Sequence, residues 1–264
     1  MRSLKAFAVM AASLLVATGC TSVDGDAGTS ESGYTTVTAG TLTVCADIPY
    51  PPFEEEDPGS EIGYKGFDVD LVKEISSRLG LGLAIRDVDF DGLQSGAALV
   101  SGQCDMAASA VSITEERKAN LDFSEPYYDS LQSLLVRADS GITSLDDMAG
   151  KTIGVQTGST GKTYAEEHAP ADATLLQLDS DGMLWPAIQA DQIQAILQDL
   201  PVNQAHTEAD PQYVIAATYE TDEQYGFAFA KGKNPELREG VDTALQEMRD
   251  DGTYQKIYDS YFAK

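Results

Sequence analysis

Nine consecutive residues, Ser109-Ala110-Val111-Ser112-Ile113-Thr114-Glu115-Glu116-Arg117, bring three hydroxyls, two carboxylates and a guanidinium together. Ser112 stands three residues before Glu115, the spacing of a capping box, which would set a helix N-terminus with free backbone N–H groups there. Such an end attracts an anion, and Arg117 adds a permanently charged planar fork suited to a carboxylate. The same residues would also serve as a plain helix cap and a surface ion pair. A complementary group follows the run Ile193-Gln194-Ala195-Ile196-Leu197: Asp199, a carboxylate at a strand end, which can meet an ammonium or merely cap a helix. An anion clamp and a cation clamp together describe a site for a zwitterion.

Two other patterns carry less. Gln156-Thr157-Gly158-Ser159-Thr160-Gly161-Lys162-Thr163 ends like a P-loop, but Gln156 stands where that motif needs glycine. Ser159 and Thr160 are read instead as donors at the start of a helix facing a cleft. No cysteine or histidine spacing suits a metal, and His168 and His206 stand alone in polar segments as surface or helix-end residues. Neither a metal nor a cofactor is expected.

The chain that must position these groups has 264 residues, enough for one large domain or two small ones, with 42% hydrophobic residues and 17 Lys plus Arg against 43 Asp plus Glu. A formal charge of -26 disfavours nucleic acid or an anionic membrane surface as partner. Residues 1–20 are read as a leader: Arg2 and Lys5 precede the apolar stretch Ala6 to Ala17, too short to span a bilayer comfortably. Ala17-Thr18-Gly19-Cys20 is similar to a lipobox, so Cys20 is the expected lipidation site, and lipid the only membrane attachment, of a protein that works outside the cytoplasm. Residues 21–40, rich in Ser, Thr, Gly and Asp, read as a flexible tether. Cys45 and Cys104 remain as an even pair in a disulfide-permissive setting, bonded to each other or buried as free thiols.

From Thr41 strands and helices alternate. The periodicities predict strands at 42–46, 83–88 and 105–110 with helices at 67–79 and 93–100 and a helix start at 112–119. A second set follows, with strands at 152–155, 174–178 and 193–197 and helices at 161–168 and 182–190. This order predicts an α/β fold of two lobes, each an open, mostly parallel sheet, joined by a two-stranded hinge at 132–137 and 224–230. Lobe 1 would hold 41–133 plus 227–264, lobe 2 would hold 134–226, and a ligand would lie between them at the carboxyl ends of the strands.

Six segments in order resemble the extracellular solute-binding proteins of polar amino-acid ABC importers, over nearly all of 41–264: Leu42-Thr43-Val44 leading to Tyr50-Pro51-Pro52-Phe53, Gly66-Phe67-Asp68-Val69-Asp70-Leu71, Ser112 to Arg117, Asp122-Phe123-Ser124-Glu125-Pro126-Tyr127-Tyr128, Gly150-Lys151-Thr152-Ile153-Gly154-Val155-Gln156 and Asp251-Gly252-Thr253-Tyr254-Gln255-Lys256-Ile257. The resemblance implies a periplasmic-binding-protein type II fold that closes over one polar L-amino acid and hands it to permease subunits, working as a monomer without catalysis. It places α-carboxylate contacts on Ser112, Arg117, Ser159 and Thr160 and the α-ammonium contact on Asp199, with Ser109 among the pocket residues. Tyr50 and Phe90 match aromatics that flank the ligand side chain, Asp47 a position that meets a polar or cationic side-chain end, and Ala110 and Gln156 positions where pockets differ. In the family's sheet the strands of Cys45 and Cys104 are neighbours, which favours the disulfide. A sensor that presents ligand to a receptor and a dehydratase-like enzyme on the same scaffold are the alternative readings.

Overall fold

A computed structural model describes residues 33–263. The leader at 1–20, its Cys20 and residues 21–32 of the expected tether lie outside the described residues.

Lobe 1 begins with β1 (Thr41–Ala46), whose Leu42 and Val44 face one core while Cys45 faces another, as the two-residue period of a strand requires. A small hairpin, β2 (Glu55–Glu56) and β3 (Tyr64–Lys65), leads to α1 (Phe67–Arg78). Its buried Phe67, Leu71, Val72 and Ile75 recur at helical spacing. Gly66 precedes it with φ of 136°, and a Cβ there would lie 2.1 Å from the Phe53 carbonyl oxygen, so only glycine fits this crossing. Next come β4 (Gly82–Asp87), α2 (Phe90–Gln94), α3 (Ala97–Val100), β5 (Met106–Ala107), α4 (Glu115–Lys118) and β6 (Leu121–Phe123). The helix expected at 93–100 is thus two short ones, broken at Ser95-Gly96, where Gly96 has φ of 80°.

Lobe 2 is built from β7 (Tyr128–Arg137), β8 (Thr152–Gln156), α5 (Thr160–His168), β9 (Thr174–Leu178), α6 (Asp181–Gln189), β10 (Ala195–Asp199), α7 (Leu200–Ala209) and β11 (Tyr213–Tyr225). The chain then returns to lobe 1 for β12 (Ala228–Ala230), α8 (Pro235–Asp250) and α9 (Thr253–Phe262). The two five-stranded sheets run β4-β1-β5-β12-β6 and β11-β7-β10-β8-β9. In each, four strands point one way and one, β12 or β7, is reversed. Both faces of each sheet are covered: in β10, Ala195 and Leu197 join one apolar cluster and Ile196 the other.

Three expectations need correction. Residues 132–137 are not a connection but the body of β7, because Leu134, Leu135 and Val136 are buried on both faces of the second sheet. The chain crosses between lobes at 124–127 and 226–227, where Ser124 N donates to the Phe227 carbonyl at 2.9 Å and Tyr127 N to the Tyr225 carbonyl at 2.8 Å. The tether does not run to Gly40. Tyr34 packs against the lobe 1 core, Asn234 Nδ2 donates to the Thr35 carbonyl at 2.7 Å, and the Asp105 carboxylate accepts from both Val37 N (2.7 Å) and Thr43 N (2.8 Å). His206 is not at the surface but 7% exposed, stacked on Trp185 and donating through Nε2 to Asp181 at 2.9 Å. His168 is exposed at the end of α5.

Cys45 and Cys104 form a disulfide with Cα atoms 5.8 Å apart, since β5 lies beside β1 with Ala107 paired to Cys45. Among the described residues no helix is long and apolar enough to cross a membrane, and no group of three or more His, Cys, Asp or Glu could hold a metal ion. The disulfide closes a loop of 59 residues within lobe 1, for which chain entropy predicts a loss of about 4 kcal/mol on reduction. Urea unfolding with and without reductant should show the midpoint fall accordingly; an unchanged midpoint would contradict a structural role for the bond.

Candidate functional site

The carboxyl ends of β1, β5, β8 and β10 meet between the lobes and carry Asp47, Ser109, Gln156 and Asp199. The cleft is shut upon them, so that only about 10 Å³, room for about one water molecule, is left open. Asp47, Tyr50, Phe90, Ser109, Ala110, Ser112, Gln156, Ser159, Thr160 and Asp199 line this space. Arg117 does not; it lines an adjoining groove that shares Ser159 and Thr160 and adds Glu223. Its guanidinium stands 5.2 Å from the Phe90 ring, so Phe90 braces the cation as well as the cavity wall.

Local sequence explains each placement. Ser159 caps α5, its Oγ accepting from Lys162 N at 3.0 Å, which leaves the first turn of that helix open toward the cleft. The cap of α4 is Thr114, accepting from Arg117 N at 3.1 Å, and not Ser112 as the capping-box spacing suggested. Ser112 is freed for the site because Ile113 N is drawn to the Gln224 carbonyl (2.8 Å), and its hydroxyl donates to Glu223 at 2.8 Å. Ser109 lines the cavity, but its hydroxyl is engaged elsewhere: it donates to Glu54 and accepts from Asp47 N. Ala110 adopts a left-handed φ of 45°, held by a bond from its N–H to Asp68 Oδ2 at 3.0 Å.

Side chains from the two lobes meet directly. Gln156 Nε2 donates to the Asp47 carboxylate, the Tyr50 hydroxyl to Asp199 Oδ2 (2.9 Å), and Arg117 Nη2 to the Gly158 carbonyl (3.0 Å). The cleft is closed so tightly that a Cβ on Gly158, whose φ is 75°, would lie 3.1 Å from Asp91 and Gln94 of α2.

Three further residues complete the site without any signal in the sequence. Asp199, 6% exposed, also accepts from Tyr225 Oη (2.6 Å) and Gln132 Nε2 (2.5 Å). Glu223 accepts from Ser112 of lobe 1 (2.8 Å), Thr160 of lobe 2 (2.8 Å) and Gln132 of β7 (3.0 Å). One more acid among 43 draws no notice in a one-dimensional reading; only the irregular pairing of β11 between Tyr219 and Glu223 turns this one inward.

Burial dominates the electrostatics. It pushes Asp47 and Asp199 up to about 7, against the pull of their hydrogen bonds from Gln156 and from Tyr225, Tyr50 and Gln132, and Glu223 pushes Asp199 further. Burial also draws Arg117 down, while Asp199 and Glu223 hold it charged. Arg117 offers the site donors for one carboxylate, and the acids around it offer acceptors for cations. A hinged two-lobed α/β protein with a small polar space between its lobes is a clamp for a small charged solute.

The comparisons agree with that class. A family model described as bacterial extracellular solute-binding proteins, family 3, matches residues 42–264, and the chain belongs to that family. It is 33% identical over 236 residues to the arginine-binding extracellular protein ArtP of Bacillus subtilis, covering 88% of each chain. It is similar to an ancestral arginine-binding protein solved with arginine (36% identity, TM-score 0.77, 85% and 99% of the chains covered). Another similar structure is the ancestral amino acid-binding protein AncCDT-1, described as a precursor of cyclohexadienyl dehydratase (33% identity, TM-score 0.75, 84% and 95% covered).

Because Asp47 and Asp199 are raised from 3.8 to about 7, the folded protein holds protons between those values that the unfolded chain has released, so stability falls as pH rises through this window. Without added amino acid, the melting temperature should be several degrees higher at about pH 5 than at about pH 8. A melting temperature that climbs with pH over that range would contradict the buried acids.

Proposed function

We propose that the chain is the extracytoplasmic substrate-binding component of an ABC importer, that its cargo is a cationic L-amino acid, and that it delivers this cargo to permease subunits as a monomer held to the membrane by lipid on Cys20. In this reading Arg117, Ser112 and the Ser159-Thr160 helix start take the α-carboxylate, and Asp199 takes the α-ammonium. Tyr50 and Phe90 flank the side chain, and Ala110 leaves it room. The observation that carries the choice of cargo is Asp47. It lines the cavity at 4% exposure, its side-chain partner is the neutral Gln156, and the charged groups acting on it are acids, so a cationic side chain would supply the compensation it lacks.

A non-catalytic role fits the acids, because Asp47 and Asp199 both have binding work in this reading. The likeness to AncCDT-1 makes a dehydratase-like enzyme the second reading, with the raised carboxyls as its acid or base; recovery of the amino acid unchanged after incubation separates the two. Presentation of the loaded protein to a receptor would use the same site.

A thermal-shift screen of the full chain against the L-amino acids tests the cargo. A native-state ligand at a hundredfold excess over Kd stabilises by about 2.7 kcal/mol, a shift of several degrees. L-arginine or L-lysine should give it, and Asp47→Asn should narrow their advantage over L-glutamine by at least tenfold in Kd, since a charge-assisted hydrogen bond contributes about 1.5 to 3 kcal/mol. Absence of any shift with cationic amino acids would overturn the cargo assignment. Arg117→Ala should weaken binding of the amino acid that shifts the wild type by roughly 2 to 5 kcal/mol in calorimetry, as for a truncated buried charge pair; an unchanged Kd would remove Arg117 from the site.

A further inference from the structure

Beneath the cavity lie two acids that the binding reading does not use. Glu54 is fully buried and Asp68 is 1% exposed. Their chain segments are brought together from both directions. At the backbone, Asp68 N donates to the Phe53 carbonyl at 3.1 Å, and the Gly66 crossing presses against Phe53 and Glu54. At the side chains, Glu54 Oε1 accepts from the Ser109 hydroxyl (2.5 Å) and Asp68 Oδ2 accepts from Ala110 N (3.0 Å), two consecutive residues of the cavity wall. Asp68 Oδ2 also takes the Tyr127 hydroxyl at 2.7 Å. One oxygen of each acid is left over, Glu54 Oε2 and Asp68 Oδ1, and both are buried without a hydrogen-bond partner.

Two buried acceptors, each without a donor, on acids near enough for the charge of Asp68 to act on Glu54, leave an uncompensated cost that one shared proton removes. We propose that Glu54 and Asp68 share a single proton at neutral pH, and that this carboxyl–carboxylate pair is the positioning device that fixes the cavity wall. The groups that face the pair are Asp47 after β1, Ser109 and Ala110 after β5, and Tyr127 before β7; none carries a positive charge that could stabilise two ionised carboxylates. Burial pushes both acids upward and the charge of Asp68 pushes Glu54 further, which agrees with a retained proton.

The consequence reaches the ligand space through two bonded chains. Asp47 N donates to Ser109 Oγ (3.0 Å), whose proton goes to Glu54, so the pair sets where Asp47 leaves β1. Asp68 holds the Ala110 N–H and with it a left-handed turn that alanine does not favour on its own. Both arms end on residues that line the cavity, and the shared proton ties the two arms to each other.

Glu54→Gln replaces the shared proton with an amide N–H that can donate to Asp68 at every pH, whereas Glu54→Ala removes it. The infrared difference between wild type and Glu54→Gln at about pH 7, in which the contributions of Asp47 and Asp199 cancel, should show a protonated buried carboxyl that only the wild type carries. Glu54→Gln should also bind L-arginine within about threefold of wild type, against a loss of at least tenfold for Glu54→Ala. The proposal is overturned if wild type and Glu54→Gln show the same carboxyl absorption, or if Glu54→Gln binds as poorly as Glu54→Ala. The infrared comparison needs no ligand, so it stands apart from the cargo assignment, and it remains decisive if Glu54→Ala fails to fold.

Discussion

The centre of this molecule depends on carboxylates held out of water with neutral hydrogen-bond donors against them. Asp199 is ringed by two tyrosine hydroxyls and an amide, Glu223 by two hydroxyls and the same amide, and Asp47 by another amide. Neutral donors offset part of the desolvation cost of a carboxylate but supply no opposite charge, so burial still raises Asp47 and Asp199 to about 7. Such an environment favours cations, and the Arg117 guanidinium lies in the adjoining groove.

The scaffold serves that arrangement by drawing each acid from a different strand end. Asp47 follows β1 in one lobe, Asp199 closes β10 in the other, and Glu223 rides on β11, next to the crossing between them. Glu223 touches Ser112 of lobe 1 and Thr160 and Gln132 of lobe 2, so it reports the relative position of the two lobes. A domain movement of about an ångström would break bonds of this length, which couples the chemistry of the cleft to the relative position of the lobes. The Cys45–Cys104 bond and the Asp105 carboxylate, which accepts from Val37 N and Thr43 N, tie lobe 1 together.

Much of this was legible in the chain, and what was missed has a pattern. The helices expected at 67–79 and 161–168 and the strands expected at 42–46, 152–155 and 174–178 correspond to α1, α5, β1, β8 and β9, because their apolar residues pack into the clusters on the sheet faces. Where local rules compete, they misled. Ser112 and Thr114 are both acceptable caps, and the backbone chose Thr114 because the bond from Ile113 N to Gln224 holds Ser112 in extended form. His206 looked like a surface residue because its neighbours in sequence are polar; Trp185 and Asp181, which bury it, come from another helix.

Apolar periodicity carried the layered α/β architecture, and the ends of the predicted strands pointed to Ser112, Arg117, Ser159, Thr160 and Asp199, whereas Asp47, Tyr50, Phe90, Ser109, Ala110 and Gln156 were expected from the family resemblance. Tertiary structure alone decided which acids are functional. Glu54, Asp68 and Glu223 are chemically the same as any of the 43 acids of the chain until folding removes their water. Their pairing across 14 residues, or Glu223 with Ser112 across 111, is set by strand register and by the crossing of two lobes. Distances in space, and the dielectric that goes with them, are not written in the spacing along a chain.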